Sequence, residues 1–214
     1  MADRADQSSQ TPRPALVAAV SAASAASAMS GRNVLVGICG GIAAYKVASV
    51  VSALAQAGAA VTVAMTPSAT RFVAPLTFQA LSGRPVHTSP WEHVESHDPQ
   101  HITLAARTHL AIVAPCTMDC LARLAAGRAD DVVTLILSAI DRSRTPVLLA
   151  PSMNAVMWSQ PSTQRNVRLL RDDGFRFVGP DEGWQACRTV GVGRMAEPET
   201  LLRAMAEQCP APGR

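Results

Sequence analysis

Aromatic residues and charged residues are both scarce in this sequence. Phe, Trp and Tyr make up 4% of the 214 residues, so a packed core has to be built from aliphatic side chains. Charged residues account for 16%, the net charge is +3 and no basic block is present, which argues against a dedicated nucleic-acid-binding protein. No apolar run reaches about 18 residues, so the sequence predicts no membrane-spanning segment.

Cysteine pairs and metal-binding patterns are also missing. The five cysteines are an odd number without C-x-x-C spacing, which excludes a disulfide framework and a zinc ribbon and favours the reducing cytoplasm. Cys116 and Cys120 are read as small buried residues rather than ligands. His93, His97 and His101 recur every four residues, but the intervening proline opposes a single helix, so we expect no metal site.

The first 30 residues differ in composition from the rest. Between Ala15 and Ser30 there are eight alanines and four serines. A secretory signal is one interpretation, but acidic residues near the start oppose the positive segment that such a signal needs. We therefore expect residues 1–30 to form a disordered Ala/Ser-rich tail, with Met29 as an alternative start, and residues 31–209 to form the folded domain.

From residue 31 onward, short apolar runs alternate with segments of helical periodicity. The predicted strands are Asn33–Cys39, Ala60–Met65, Leu110–Ala114, Val147–Ala150 and Phe175–Val178. Wholly apolar strands alternating with helices indicate an α/β fold, a single doubly wound Rossmann-like domain with a mostly parallel sheet. In such sheets, ligands bind beyond the carboxyl ends of the strands. The loops at residues 39–42, 66–68, 114–119 and 151–154 should therefore meet at one site.

The first of these loops favours a phosphate. Gly40 and Gly41 allow backbone N–H groups to approach an anion at a helix N-terminus, and Thr66 and Ser68 add hydroxyls from the next loop. Neither G-x-G-x-x-G nor a P-loop is present, and no acidic residue ends the second strand to hold an NAD ribose. A tight turn with nothing bound is the alternative.

Polar residues at the other strand ends have two interpretations each. Thr117 and Asn154 are good helix N-caps, but the same side chains can also bond a ligand. His101 opens a predicted helix before a core strand, where a general acid or base is plausible.

The Gly-rich segment Gln185–Met195 is predicted to have no regular structure of its own, as is typical of lids over active sites. Cys187 lies in it beside Arg188, which favours a lowered thiol pKa. An inert cysteine in a surface loop is the alternative.

Several of these segments together resemble the flavin-containing cysteine decarboxylases. Pro151–Trp158 (PSMNAVMW) fits that family's PxMNxxMW motif at every fixed position, and Gly40–Ala44 fits its flavin-phosphate loop. His101 stands where the family's HIEL-type motif has its catalytic histidine. Ala186–Cys187 and Gly193–Pro198 match its mobile substrate flap. The resemblance covers roughly residues 32–203.

The resemblance implies an FMN cofactor and a homotrimer, or a multiple of trimers, with active sites between subunits. The residues that it places near FMN are Gly40, Gly41, Ile42, Thr66, Ser68, Thr117, Met118, Asp119 and Ser152. Those that it places near the substrate are Met153, Asn154, Ala186 and Met195. It implies catalytic roles for His101, Asn154 and Cys187.

The implied activity is decarboxylation of phosphopantothenoylcysteine to phosphopantetheine in coenzyme A biosynthesis. It proceeds through oxidation to a thioaldehyde, loss of CO2 and re-reduction of the enethiol. Thr103 replaces the glutamate of the HIEL-type motif, and Arg188 replaces the glycine that usually follows the flap cysteine. Alternatives are an oxidative peptidyl-cysteine decarboxylase, a flavin prenyltransferase and a non-catalytic flavin-binding regulatory subunit.

Overall fold

The computed structural model describes residues 24–92 and 99–209, which form a central parallel sheet covered by helices. The sheet has six strands in the order β3-β2-β1-β4-β5-β6, and each neighbouring pair is parallel. The strands are β1 (Asn33–Ile38), β2 (Ala60–Met65), β3 (Val86–His87), β4 (Leu110–Cys116), β5 (Val147–Pro151) and β6 (Arg176–Phe177).

The helices lie on both faces of this sheet. They are α1 (Ala44–Gln56), α2 (Pro75–Ser82), α3 (Gln100–Arg107), α4 (Met118–Ala125), α5 (Val132–Ser138), α6 (Ala155–Ser159), α7 (Pro161–Asp172) and α8 (Pro198–Gln208), with a 3-10 turn at Ala69–Arg71. Side chains of α1, α2 and α8 contribute to one apolar cluster, and those of α3, α4, α5 and α7 to a second cluster. This arrangement confirms the predicted Rossmann-like α/β fold.

The side chains of β1 point alternately to the two faces of the sheet, which explains why the predicted strands are apolar at every position. Val34, Val36 and Ile38 pack in the first cluster, whereas Leu35 belongs to the second. Because successive side chains of a strand point to opposite faces, a strand covered on both sides needs an apolar residue at every position. Phe78 is the one aromatic residue among the largest fully buried side chains of the described residues, so the core is aliphatic as the composition predicts.

The order of the strands fixes where a ligand can enter. The chain passes from β1 to β2 on one side of the sheet, whereas β4 and β5 extend it on the other side. The connections that follow β1 and β4 therefore run to opposite sides, and a crevice opens between them at the carboxyl ends of these strands.

The segment around Cys187 is more regular than expected. Strands β7 (Asp181–Trp184) and β8 (Val190–Arg194) pair antiparallel, and we call residues 181–194 the flap hairpin. The prediction of no regular structure over Gln185–Met195 was therefore wrong for β8. Glycines weaken a strand signal, but here Gly183 and Gly191 face each other across the ladder and the paired backbones stabilise the hairpin.

The packed domain begins before residue 31. Residues 24–27 form a helical turn, and Ala26 and Met29 are 1% and 0% exposed within the first apolar cluster. The expected tail boundary at residue 30 is corrected accordingly, while residues 1–23 lie outside the described part of the chain. Across the described residues, no helix has the length and apolar character needed to span a bilayer.

Candidate active site

Two adjoining cavities lie beyond the carboxyl ends of the parallel strands. Their volumes are about 640 and 550 Å³, within the usual range of small-molecule sites. Gly41, Ser152 and Met153 line both cavities, so a ligand in the first can contact a ligand in the second. The loops after β1, β4 and β5 meet here, as the predicted topology requires.

The first cavity is lined by Gly40 and Gly41, which lie in the turn between β1 and α1. The two glycines let backbone N–H groups of this turn approach an anion, whereas the start of α1 borders the second cavity through Ala43, Tyr45 and Lys46. Gly40 packs directly against the loop after β2, because a Cβ on it would lie 2.4 Å from the Cβ of Ser68. Only glycine fits at this position without a shift of the neighbouring loop.

Two buried thiols, Cys39 and Cys120, line the first cavity, and a third thiol, Cys116, is buried beside Cys120. Cys39, Cys116 and Cys120 are almost fully buried, and Cys120 hydrogen-bonds to both of the others. The hydrogen bond with Cys120 together with burial raises the pKa of Cys39, and burial raises that of Cys116. These thiols are therefore neutral and provide an uncharged wall. No group of three or more metal-ligating side chains within residues 24–92 and 99–209 is arranged to hold an ion, and His93 and His97 lie outside those ranges.

Arg123, at the edge of the first cavity, forms ion pairs with three carboxylates. Arg123 donates to Asp119 at 2.8 Å and to Asp130, and it lies 3.9 Å from Asp131. The hydrogen bond from Arg123 lowers the pKa of the Asp130 carboxyl. Asp131 also caps α5 by accepting from the backbone N–H of Val133 at 2.9 Å. With Arg123 and Arg128 as their cationic partners, the three carboxylates leave this edge of the first cavity with a net negative charge, which favours binding of an anion at the Gly40–Gly41 side instead.

The second cavity brings Asn154 and Cys187 together. The Asn154 Oδ1 accepts from the backbone N–H of Val156 at 2.8 Å and caps α6, which leaves Nδ2 to donate to the Cys187 Sγ at 3.1 Å. The Thr189 Oγ1 lies 3.0 Å from the same sulfur. The hydrogen bond from Thr189, and then that from Asn154, lowers the pKa of the exposed Cys187 thiol.

Positive charge also borders the second cavity. The Lys46 Nζ lies 3.0 Å from both carboxylate oxygens of Glu197, and the guanidinium of Arg194 lies 3.1 Å from one of them. Two cations on one carboxylate leave a net positive charge, which suits an anionic ligand.

The chain also matches a known protein family. A family model described as Flavoprotein matches residues 22–209. The chain belongs to the flavoprotein family. This confirms the resemblance found in the sequence and extends it over nearly all of the described residues.

Two curated relatives of this flavoprotein chain carry the same description. The coenzyme A biosynthesis bifunctional protein CoaBC of Bacillus subtilis is 44% identical over 188 residues, which are 86% of this chain and 46% of that protein. The CoaBC protein of Mycolicibacterium smegmatis is 44% identical over 183 residues, or 84% of this chain and 43% of that protein. The flavoprotein chain therefore spans about half the length of the curated relatives that it matches.

Solved structures extend the comparison to whole proteins of similar size. The FMN-dependent cysteine decarboxylase SpaF is 30% identical, with a TM-score of 0.71 over 85% of this chain and 98% of that chain. A PPC decarboxylase mutant, with a cysteine replaced by serine and complexed with pantothenoylaminoethenethiol, is 26% identical. Its TM-score is 0.72 over 81% of this chain and 95% of that chain.

The structure brings together nearly all the residues that the sequence selected. The first cavity is lined by Gly40, Gly41, Thr66, Ser68, Thr117, Met118, Asp119 and Ser152. The second is lined by Ile42, Met153, Asn154, Ala186, Cys187 and Met195. His101 is the exception, because it lies on α3 and lines neither of these cavities of the described chain. The roles of all these residues stay predictions.

Several polar residues of the flavoprotein site were not selected from the sequence, and three of them matter for the second cavity. Gln185, Lys46 and Glu197 were not selected, although the first two line the second cavity and Glu197 pairs with Lys46. One signal was present for Lys46, because a cation in the first turn of a helix is unfavourable with the helix dipole unless it is paired. Arg188 has φ of 65°, a left-handed conformation that explains why a glycine is usual at that position.

Proposed function

We propose that this chain is an FMN-dependent decarboxylase that converts phosphopantothenoylcysteine to phosphopantetheine in coenzyme A biosynthesis. The observation that carries the proposal is the Asn154–Cys187 pair, whose Nδ2 and Sγ atoms lie 3.1 Å apart beside a cofactor-sized cavity. The similarity to CoaBC proteins and to solved cysteine decarboxylases supports the same activity.

The first cavity fits FMN in both size and chemistry. Backbone N–H groups of the Gly40–Gly41 turn suit the phosphate, and the hydroxyls of Thr66 and Ser68 lie on the neighbouring loop. The neutral thiols provide an apolar wall suited to a flavin ring, and Thr117 and Ser152 add further hydroxyls. When bound, FMN supplies a two-electron acceptor that can later return the electrons.

Asn154 is proposed to hold the substrate carboxylate until CO2 leaves. Its Oδ1 is fixed by the cap on Val156, so Nδ2 is the group presented to the second cavity. Lys46 and Arg194 leave a net positive charge on the cavity that attracts the anionic substrate. Oxidation of the cysteinyl side chain to a thioaldehyde places an electron sink β to the carboxylate, and CO2 departs to give an enethiol.

Cys187 is proposed to deliver a proton from Sγ to the enethiol carbon during its reduction. The thiol is exposed on the side of the second cavity, within reach of a molecule that Asn154 holds. A lowered pKa makes this thiol a stronger acid, and a hydrogen bond to Asn154 stabilises the thiolate that remains. The chain therefore has the acid that full reduction to phosphopantetheine needs.

A neighbouring subunit is proposed to complete the site. His101 lies away from both cavities of its own chain, yet the resemblance gives it a catalytic role in the oxidative half. Ile42, Tyr45 and Trp184 border the second cavity and are each more than half exposed, as expected of residues that another copy covers. We propose a homotrimer in which His101 of one subunit serves the cavity of the next.

The chain is further proposed to act in the cytoplasm. All five cysteines are free, and three of them are buried thiols that a reducing compartment maintains.

The other activities considered are less well supported. An oxidative peptidyl-cysteine decarboxylase stops at the enethiol and has no use for a proton donor at Cys187. A regulatory subunit without turnover does not need the alignment of Asn154 with Cys187, which the structure maintains through Thr189 as well. Flavin prenyltransferases lack the Met-Asn motif of Met153 and Asn154.

Purification followed by two measurements tests the proposal. We expect denatured protein to release FMN as its chromophore, and the native protein to release CO2 from phosphopantothenoylcysteine. The variants His101→Asn and Asn154→Asp should keep FMN and retain less than about a tenth of the rate, a loss above ~1.4 kcal/mol of transition-state stabilisation. Recovery of FAD, or no CO2 from flavin-loaded protein, would contradict it.

The shared site has its own test. Mixed trimers of His101→Asn and Cys187→Ala subunits should form phosphopantetheine, which neither variant forms alone, because some sites then combine two intact residues. Two variants that still form no phosphopantetheine after mixing and re-assembly would show that the site is not shared.

A further inference from the structure

Gln185 is a buried residue within an otherwise exposed loop. Its side chain is 7% exposed, whereas Ala186, Cys187, Arg188 and Thr189 are all exposed. Burial of an amide costs free energy unless its donor and acceptor groups find hydrogen-bond partners. The partners of the Gln185 amide therefore indicate its role in the structure.

The amide of Gln185 connects three parts of the site. Its Oε1 accepts from the backbone N–H of Ala155 at 3.1 Å and lies 3.5 Å from the Nδ2 of Asn154. Its Nε2 donates to the Gly191 carbonyl on the opposite strand of the flap hairpin at 3.2 Å. One side chain therefore connects the start of α6, the Asn154 amide and both strands of the flap hairpin.

The backbone of Gln185 shapes the loop that carries Cys187. Its N–H donates to the Thr189 carbonyl at 2.8 Å, and its carbonyl accepts from the N–H of Arg188 at 2.9 Å. These bonds close a tight loop with Cys187 at its centre. At the far end of β8, the Met153 N–H donates to the Gly193 carbonyl at 2.9 Å, so each strand of the hairpin has its own attachment to the segment before α6.

We propose that Gln185 is a positioning residue, which docks the flap hairpin on α6 and thereby sets Cys187 opposite Asn154. The proposal rests on the proposed function, since it assigns to Gln185 the alignment that proton delivery by Cys187 requires. If the flap hairpin lifts, Oε1 loses Ala155 and Asn154 together, so the docked position is the one in which the buried amide is fully bonded. The Cys187 Sγ also lies 3.7 Å from the Gln185 Oε1, so the docked amide contacts the thiol itself, while Gln185 does not line the cofactor cavity.

A single substitution with a matched control tests this role. Gln185→Leu keeps the size and removes the amide. Gln164→Leu makes the same change on α7, where the Gln164 Nε2 donates to the Trp158 carbonyl at 2.7 Å, a hydrogen bond within the α6–α7 segment rather than to the flap hairpin.

The first readout is the pH profile of Cys187 alkylation by iodoacetamide, followed by mass spectrometry of its peptide, and it needs no substrate. If Cys187 is no longer held opposite Asn154, its thiol loses the hydrogen bond from Asn154. The midpoint pH of Cys187 alkylation in Gln185→Leu should therefore shift to a higher value. The Gln164→Leu profile should match the wild type. Identical profiles for all three proteins overturn the proposal, whether or not the chain decarboxylates phosphopantothenoylcysteine.

The second readout is the ratio of enethiol to phosphopantetheine formed by the FMN-loaded protein. We expect Gln185→Leu to raise this ratio about tenfold, the effect of losing one buried hydrogen-bonding group, with FMN content unchanged. A merely structural role would lower FMN content and both halves of the reaction in equal proportion, and that result also overturns the proposal. Failure of the wild type to release CO2 would refute the proposed function alone.

Discussion

Replacement of Gly40 by alanine tests how the cofactor phosphate is held. The added Cβ would lie 2.4 Å from the Cβ and 2.9 Å from the carbonyl carbon of Ser68. Carbon atoms pack best at about 3.5–4.0 Å, so the loop after β2 has to move away from the start of α1. At the adjacent Gly41 the same Cβ would meet its nearest atom, the Cγ of Pro115, at 3.8 Å, an ordinary contact.

The expected cost of Gly40→Ala is that of overpacking, about 1–3 kcal/mol. For a domain of this size, such a loss lowers Tm by roughly 2–12 °C. Because the loop that moves contributes Thr66 and Ser68, we expect a loss of about 1–3 kcal/mol in FMN binding, which is about 5- to 150-fold in affinity, with a smaller loss for riboflavin, which has no phosphate.

Thermal unfolding and flavin fluorescence titration measure these effects. Gly41→Ala is the matched control for Tm, because its Cβ has room. Equal Tm and equal FMN affinity for Gly40→Ala and the wild type would refute the reasoning, and so would an equal loss of riboflavin and FMN affinity.

Three further predictions concern the flap hairpin and the N-terminal segment. Cys187→Ser should still release CO2 but accumulate the enethiol, because a serine hydroxyl is a far weaker acid; normal amounts of phosphopantetheine in mass spectra would contradict this. Thr189→Val should raise the pKa of Cys187, so less thiolate is present near neutral pH and alkylation slows; an unchanged or lower midpoint pH would show that the Thr189 hydroxyl does not stabilise the thiolate. Deletion of residues 1–23 should leave Tm nearly unchanged, whereas deletion through Met29 also removes the buried Ala26 and should lower it; equal Tm values for both truncations would show that these contacts do not stabilise the domain.

Much of the site could be predicted from the sequence, because ligands of parallel sheets bind beyond the carboxyl ends of the strands. Apolar runs identified β1, β2, β4 and β5, and a parallel sheet brings their carboxyl ends to one edge. Gly40, Thr117 and Asn154 directly follow such runs, so their proximity follows from local patterns. Thr117 and Asn154 also cap helices, so both interpretations of these residues hold at once in the geometry.

The remaining residues of the site could not be predicted, because they are held by contacts between distant parts of the chain that no local sequence pattern shows. Gln185 bonds to Ala155, which lies 30 residues earlier, and neither residue type suggests the pairing. Glu197 meets Lys46 across 151 residues for the same reason. Strand β8 has glycine at alternate positions and therefore lacks the signal of a strand. His101 lines neither cavity of its own chain, and a sequence pattern does not show whether copies of a chain associate.

The mass of the product formed from phosphopantothenoylcysteine tests the central claim most directly. The FMN-loaded wild-type chain should release CO2 and yield fully reduced phosphopantetheine if, as proposed, Asn154 holds the carboxylate and Cys187 supplies the final proton. A product lighter by one hydrogen molecule, the enethiol, would show an oxidative decarboxylase instead. Unchanged substrate in the presence of bound FMN would contradict the proposed activity altogether.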